Sequence, residues 1–347
     1  MPGTERLRWG VLSTARIGRK AVAPAIVRSS NGILLAIASR DAERAAEMAD
    51  DLRQDLEATV GSDLASLRTC GSYQALLDDP EIDAVYVPLP NAQHATWTIR
   101  AAEAGKHVLC EKPMAMTAAE GRAMHDAAAA HGVVLMEAFM YRFHPRIERL
   151  IAAVHGGELG QLRFVQASFT FTVTDPANIR LNLELGGGAL MDVGCYAVNV
   201  ARTLMGVEPG EAQARARWGK SGVDEQLMGS LRFEGGRVAQ IACSLAAARS
   251  EDVLVVGEKG VARVRHAFVP TGETVALELQ RPPTPPEVIA FEPVDSYQRM
   301  VEHFAACALQ GAPPRYDALE AAANVAAIEA LYASARGGGE ATDVAPA

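Results

Sequence analysis

The sequence predicts an α/β N-terminal Rossmann domain, a doubly wound parallel sheet, followed by an α+β C-terminal domain with a large, mostly antiparallel open sheet. Three observations carry this. Up to residue 138, short Val/Ile/Leu/Ala runs alternate with amphipathic segments, the signature of parallel strands joined by crossover helices. After Pro145 the period changes: Val165–Thr174 alternates as VQASFTFTVT, and turns such as Glu234-Gly235-Gly236 and Glu258-Lys259-Gly260 join short runs into hairpins. The 347 residues suit two domains at about 150 residues each. The expected division is a Rossmann domain over 1–138, an α+β domain over 139–336, and a flexible tail over 337–347.

The first-domain strands are expected at Leu7–Leu12, Ile33–Ser39, Ala84–Leu89, His107–Cys110 and Val133–Ala138. Near-continuous apolar runs of this kind suit strands buried on both faces. Helices fall near Ile17–Arg28, Ala42–Leu52, Ala92–Ala104 and Ala118–His131. Thr117 and Glu120 form a capping box for the last of these, Gly132 closes it, and Gly105 stops the helix before it. Second-domain strands are expected near Ala212–Trp218, Gln226–Phe233, Arg237–Leu245, Asp252–Gly257, Gly260–His266 and Thr274–Gln280, with one early helix, Gly188–Met205. The bend Pro282–Pro286 leads into two late helices, Asp295–Leu309 and Asp317–Ser334. The tail GGGEATDVAPA has little to bury and is expected to fray.

Composition excludes several classes. Hydrophobic residues at 49% and charged residues at 22% belong to a globular protein. The 33 basic and 42 acidic residues leave a net charge of −9, which argues against nucleic-acid or anionic-membrane binding. No uncharged apolar run reaches the roughly 18 residues of a membrane span. Five dispersed cysteines form no CxxC or Cys/His cluster, so neither zinc, nor any other metal, nor a disulfide framework is indicated. The N-terminus lacks the apolar core of a signal peptide, which makes a cytoplasmic protein with reduced thiols the simplest reading.

Ser13-Thr14-Ala15-Arg16-Ile17-Gly18 follows the first strand, where a dinucleotide fold places G-x-G-x-x-G. Only the third glycine is kept. The context supplies the signal: strand, small-residue turn, then a helix whose N-terminal amides attract phosphate. The second strand ends in Ser39 and Arg40, with Arg44 one helical turn on, where an NAD protein usually carries Asp or Glu. A hydroxyl and guanidiniums suit a ribose 2′-phosphate, so NADP is expected in preference to NAD. The plainer alternative makes Ser39 a helix cap and Arg40 solvated surface.

Three further segments resemble one family: Pro90-Asn91-x-x-His94, Glu111-Lys112-Pro113, and Gly186-Gly187-Gly188-x-x-x-Asp192-x-Gly194-x-Tyr196. The chain resembles the Gfo/Idh/MocA (glucose–fructose oxidoreductase / inositol dehydrogenase) family from residue 7 to about 335. The Asp-x-Gly-x-Tyr form and MEAFMYRFHP, Met136–Pro145, are similar to its sugar and dihydrodiol dehydrogenases. The resemblance implies a cis peptide bond before Pro113, and places Leu89, Asn91, His94, Glu111 and Lys112 near the cofactor. Many inositol dehydrogenase-like members carry histidine in place of Tyr196, which moves the implied substrate toward aldoses and trans-diols.

The residues make chemical sense in themselves. Lys112 lies at the carboxyl end of a parallel strand, where open α/β sheets bind ligands. Asp192 and Tyr196, four apart on one helix, share a face. Oxidising a carbinol requires a proton acceptor, and a phenol with pKa about 10 serves at neutral pH only beside a cation such as Lys112. Taken singly, the three also read as a surface lysine, a dipole-compensating aspartate and a packing tyrosine. Arg142, Arg180 and Tyr297 are candidates for a sugar pocket, although each type is as often structural. The expected function is NADP-dependent oxidation of an aldose at C1, of the D-xylose or D-glucose type, by a homodimer or dimer of dimers, with residues 139–336 binding the substrate and burying, between two copies, an apolar sheet face that no helix is left to cover. The alternatives are an aldose–aldose oxidoreductase with tightly held NADP, a trans-dihydrodiol dehydrogenase, and a nucleotide-sensing regulator.

Overall fold

A computed structural model describes residues 5–60, 64–269 and 275–346. Thr274, the expected start of a strand, and Ala347, the end of the tail, lie outside the described residues. The chain packs as two compact units. The first comprises residues up to Ala115, Ala119–Met140 and Asp295–Ala321, and the second Met116–Ala118, Tyr141–Val294 and the chain from Ala322 on.

In the first unit β1 (Leu7–Leu12) leads through a π-turn, Gly18–Val22, into α1 (Ala23–Arg28). There follow β2 (Gly32–Ala38), α2 (Ala42–Val60), β3 (Arg68–Cys70), α3 (Tyr73–Leu77), β4 (Ala84–Val87) and α4 (His94–Glu103). β5 (His107–Cys110), α5 (Ala118–Ala130) and β6 (Leu135–Glu137) complete the series. The strands form one parallel sheet in the order β3-β2-β1-β4-β5-β6, the doubly wound arrangement. All four residues of β4 are buried, as are Trp9, Val11 and Leu12 of β1, which accounts for the unbroken apolar runs. Sequence reasoning passed over β3 because its three residues are polar and largely exposed.

The helix Ser296–Gln310 belongs to this unit, and not to the second as its place in the chain suggested. Asp295 caps it, accepting from the Tyr297 and Gln298 amides, and pairs with Arg28 at 2.6 Å. The Ser30 amide donates to Glu302 at 3.0 Å, and fully buried Phe304 lies 5.1 Å, ring to ring, from Trp9. Its amphipathic pattern announced a buried face without saying against what.

The second unit opens with α6 (Pro145–His155) and β7 (Leu162–Thr172). A π-turn, Leu190–Gly194, runs directly into α7 (Cys195–Met205). Then come β8 (Glu211–Trp218), β9 (Asp224–Arg232), β10 (Val238–Ser244), β11 (Ala246–Gly257), β12 (Val261–Arg265), β13 (Val275–Gln280), β14 (Glu287–Phe291) and β15 (Thr342–Asp343). The sheet order is β14-β13-β12-β11-β7-β10-β9-β8-β15, antiparallel throughout except for the parallel pair β7–β10. Helix α7 packs on β7 and β10.

Two expectations are corrected. The tail does not fray: Thr342 and Asp343 pair with the edge strand β8, the Val344 amide donates to Gly210, and Gln213 and Ser334 donate to the carbonyls of Gly339 and Glu340. An exposed sheet edge offers unpaired amides and carbonyls, and the tail takes them up without needing apolar side chains. The sheet face turned away from α7 is not broadly apolar. Gln166, Gln213, Arg215, Gln240 and Arg263 line it, with Met228, 58% exposed, standing among them.

Removing the Phe304 ring tests the reassigned helix. Phe304→Ala should destabilise the dinucleotide-binding unit by about 3–5 kcal/mol. Thermal unfolding with and without bound nucleotide checks it, and a loss confined to the sheet of the second unit would contradict the assignment.

Candidate active site

On the first unit the candidate residues sit on loops at the carboxyl ends of the strands. After β1, Ser13 adopts φ 134°, backbone that favours glycine, at the position of the first fingerprint glycine. Its hydroxyl donates to Pro88 O at 3.0 Å and accepts from the Ala15 amide at 3.2 Å, so side-chain hydrogen bonds hold the turn that glycine would otherwise make. Thr14, Ala15 and Ile17 are half-buried, and Arg16 stands exposed at the start of the helical segment. A Cβ on Gly18 would come to 3.4 Å from Pro88, so helix and strand are in close contact there.

At the end of β2, buried Ser39 accepts the Asp41 amide at 3.1 Å. Asp41, not Ser39, caps α2, accepting from the Glu43 and Arg44 amides and pairing with Arg44 at 3.4 Å. That carboxylate is committed to the cap. Arg40 is exposed and, among the described residues, has no ion-pair partner. Arg16, Ser39 and Arg40 therefore fit a phosphorylated dinucleotide: an amide-rich helix start, a hydroxyl and two available guanidiniums.

The loops after β4 and β5 are braced from beneath. His94 is fully buried, with Nδ1 2.9 Å from Pro113 O and Nε2 2.8 Å from Leu89 O. Burial lowers its pKa, the two carbonyls pull the other way, and the Lys112 charge adds to the lowering. His94 thus ties the Leu89 loop to the Lys112-Pro113 loop, which contains the cis peptide bond. Glu111 is buried as well. It accepts the Tyr86 hydroxyl at 2.6 Å and the Lys112 amide at 3.2 Å, and Glu137 takes the Met114 amide at 2.7 Å. Asn91 opens a 3₁₀ turn and, like Lys112, is half-buried. Glu111 and His94 are scaffold, and Asn91 and Lys112 are what they present.

On the second unit the structure brings Arg180 and Asp192 together: Nε donates to Oδ2 at 2.6 Å, and the guanidinium lies 5.7 Å from the Phe171 ring. The glycine run makes this possible. A Cβ on Gly187 would fall 2.4 Å from Arg180 O, and the Gly188 amide donates to that same carbonyl at 2.9 Å. Tyr196, 6% exposed, stands among Tyr141, Phe169 and Phe268 at ring distances of 5.8, 5.5 and 5.3 Å. Phe268 is fixed by its loop, whose Val269 amide donates to buried Glu251 at 2.7 Å and whose His266 carbonyl accepts from buried Arg146 at 2.7 Å.

Arg142, expected to line a pocket, is 1% exposed and donates through Nε to Asn199 Oδ1 at 2.6 Å, sharing that oxygen with the Tyr141 hydroxyl. It braces α7. His144 caps α6 by accepting the Arg146 amide and is equally buried. Tyr297 lies in the first turn of its helix, on the nucleotide-binding unit. Sequence reasoning missed Phe169, Phe268 and Asn199. Only Phe169 carried a signal, in the aromatic alternation of its strand. Among the described residues no group of three His, Cys, Asp or Glu could hold a metal ion, and no helix is long and apolar enough to cross a membrane.

A doubly wound nucleotide fold joined to an open-sheet unit with a paired aspartate and tyrosine on one helix defines a dinucleotide-dependent oxidoreductase. The comparisons agree. Residues 7–139 match the oxidoreductase family with an NAD-binding Rossmann fold, and residues 147–263 match the GFO/IDH/MocA C-terminal domain. The chain belongs to this family. It is 41% identical over 335 residues to D-xylose 1-dehydrogenase (NADP(+)) 2 of Haloferax volcanii, covering 96% of this chain and 98% of that one. It is 34% identical to trans-1,2-dihydrobenzene-1,2-diol dehydrogenase of Xenopus laevis, covering 74% of each. Among solved structures, aldose-aldose oxidoreductase from Caulobacter crescentus superposes with a TM-score of 0.86 at 29% identity, covering 98% of this chain and 100% of that one. A 3-ketoreductase from Actinomadura kijaniata in complex with NADP and TDP-benzene does so with 0.85 at 27%, covering 95% and 98%.

Proposed function

We propose that the protein is an NADP-dependent dehydrogenase that oxidises an aldose at C1 to the lactone, with an aldose of the D-xylose or D-glucose type as substrate. The observation that carries this is the helix with Asp192 paired to Arg180 and Tyr196 four residues on, in a chain 41% identical to a D-xylose 1-dehydrogenase (NADP(+)). Arg16, Ser39 and Arg40 hold the 2′-phosphate end of the dinucleotide, and the turn at Ser13 receives its pyrophosphate. When bound, NADP supplies the hydride acceptor for the C1 hydrogen. Tyr196 takes the proton of the reacting hydroxyl. Lys112 grips that hydroxyl and by its charge favours the tyrosinate. Asp192, held by Arg180, orients the sugar.

A second reading has its own support: the aromatic wall of Tyr141, Phe169 and Phe268 around Tyr196 suits the ring of a trans-dihydrodiol. Assays of pentoses, hexoses and trans-diols with NADP and NAD separate the two. Cofactor retained through purification would favour an aldose–aldose oxidoreductase. Five free thiols, four of them buried, suit a reducing compartment, and the cytoplasm is the proposed location.

Arg40→Ala should weaken NADP about ten- to a hundredfold, the worth of one charge-assisted contact, and leave NAD nearly unchanged. Equal loss for both, by fluorescence titration, would remove Arg40 from the phosphate site. Tyr196→Phe keeps the ring packing and NADP binding, and turnover should fall by about 10²–10⁴-fold. Near-normal kcat would mean that another group accepts the proton. The open sheet face is proposed to pair with a second copy of the chain, its arginines 215 and 263 meeting acidic residues such as Asp252 across a twofold axis. Light scattering at micromolar concentration should give twice the chain mass, and a monomer would contradict it.

A further inference from the structure

The strand β9 begins with a carboxylate that the reaction does not use. Asp224 is 1% exposed. Its Oδ2 accepts the Leu190 amide at 2.7 Å, and its Oδ1 accepts the Tyr332 hydroxyl at 2.6 Å. Leu190 opens the helix that carries Asp192 two residues on and Tyr196 six residues on. Its amide is one of those that a helix start leaves without an internal partner, and it is buried, so Asp224 supplies the acceptor that water would supply elsewhere. The backbone is drawn tightly onto the carboxylate: Gly188 has φ 128°, and a Cβ there would lie 2.2 Å from Oδ1. Tyr332, on the helix Ala318–Arg336, is itself fixed, its ring stacked on Trp218 and overlaid by Arg336.

We propose that Asp224 is a positioning residue, fastening the first turn of the helix that presents Asp192 and Tyr196, with Tyr332 holding the carboxylate in place. The inference rests on the reading that Asp192 and Tyr196 serve the reaction. The fastening depends on charge. Burial raises the Asp224 pKa to about 6, opposed by the Tyr332 and Leu190 hydrogen bonds and by the charge of Arg336. The other titratable groups around it are Glu329 on the Tyr332 helix, committed to the Ala118 amide, and the buried thiols of Cys243 on β10 and Cys195 on α7. A cavity of about 270 Å³, bounded by Asp224, Tyr332 and Trp218 among others, gives the proton a route. Below pH 6 the carboxyl is neutral, accepts more weakly, and the helix start loosens.

The test compares wild type, Asp224→Asn and Tyr332→Phe as full-length proteins, by kcat, KM and NADP Kd across pH 5–9 and by melting temperature across the same range. The asparagine cannot accept both donors as an anion does. Its kcat should be down roughly ten- to a hundredfold at pH 8, with NADP Kd within about twofold and no acid limb near pH 6. Tyr332→Phe should move that limb to higher pH and recover near wild-type kcat in alkali, because the carboxyl has lost a donor that favours its charge. Wild-type kcat in Asp224→Asn, or a lowered kcat with the acid limb unmoved in both variants, would overturn the proposal. If Asp224→Asn does not fold, the limb shift in Tyr332→Phe decides. Should the wild type oxidise no sugar or diol, the functional reading falls, and the melting curves judge Asp224 separately. Native Asp224 binds its proton more tightly than the unfolded chain, so wild type should gain stability relative to Asp224→Asn as pH falls from about 7.5 to 5. Parallel curves would refute the buried charge.

Discussion

In the second unit, one buried carboxylate fixes the start of the helix that carries Asp192 and Tyr196. Asp224, buried beside a small cavity, meets the Leu190 amide and the Tyr332 hydroxyl, and the helix that starts there carries the aspartate and tyrosine proposed for the chemistry. Holding such a group ionised at neutral pH is expensive. With a pKa near 6 against about 3.8 for a free aspartate, the charge costs the fold about 3 kcal/mol at pH 7. The sign is the reverse of the usual surface carboxylate: this group stabilises the native state most below about pH 4, and that contribution is lost as pH rises through 6. Stability spent in this way is common where a site must be held in one arrangement.

The first unit follows the same logic with other groups. Glu111 and His94 stand within motifs that invite a catalytic reading, yet both are buried and spend their polar atoms on neighbours of Lys112. Arg142 does the same for α7 through Asn199. In each case a polar side chain that could do chemistry is used to fix the backbone from which another acts. The residues left on the surface of the loops, Arg16, Arg40, Asn91 and Lys112, are the ones able to meet a ligand.

Much of this was legible in the sequence, for identifiable reasons. Strands buried on both faces advertise themselves as apolar runs, so Leu7–Leu12 and His107–Cys110 fall where expected. The helix with Asp192 and Tyr196 was visible from spacing, and its first turn closes on Gly188, whose carbonyl accepts the Asp192 amide at 2.9 Å; the close approach of the glycine run to Arg180 and Asp224 was not visible. What was hidden depends on long-range partners. Nothing local to Ser296–Gln310 says that it returns to Trp9, nothing in GGGEATDVAPA says that it will pair with β8, and nothing near Arg180 names Asp192. Ser13 was legible only as a missing glycine. Its role emerges once the hydroxyl is seen to bond Pro88 and Ala15.

Pinned by Asp224, the first turn of the Leu190 helix should stay closed rather than fray. Native-state hydrogen exchange of the Leu190 amide measures this without reference to substrate. Held by a buried carboxylate, that amide should exchange only through large-scale unfolding, at rates comparable to core amides of β7 and far slower than the exposed Asn182 loop. Exchange of Leu190 at the rate of that loop would show that Asp224 does not fasten the helix, and would contradict the account.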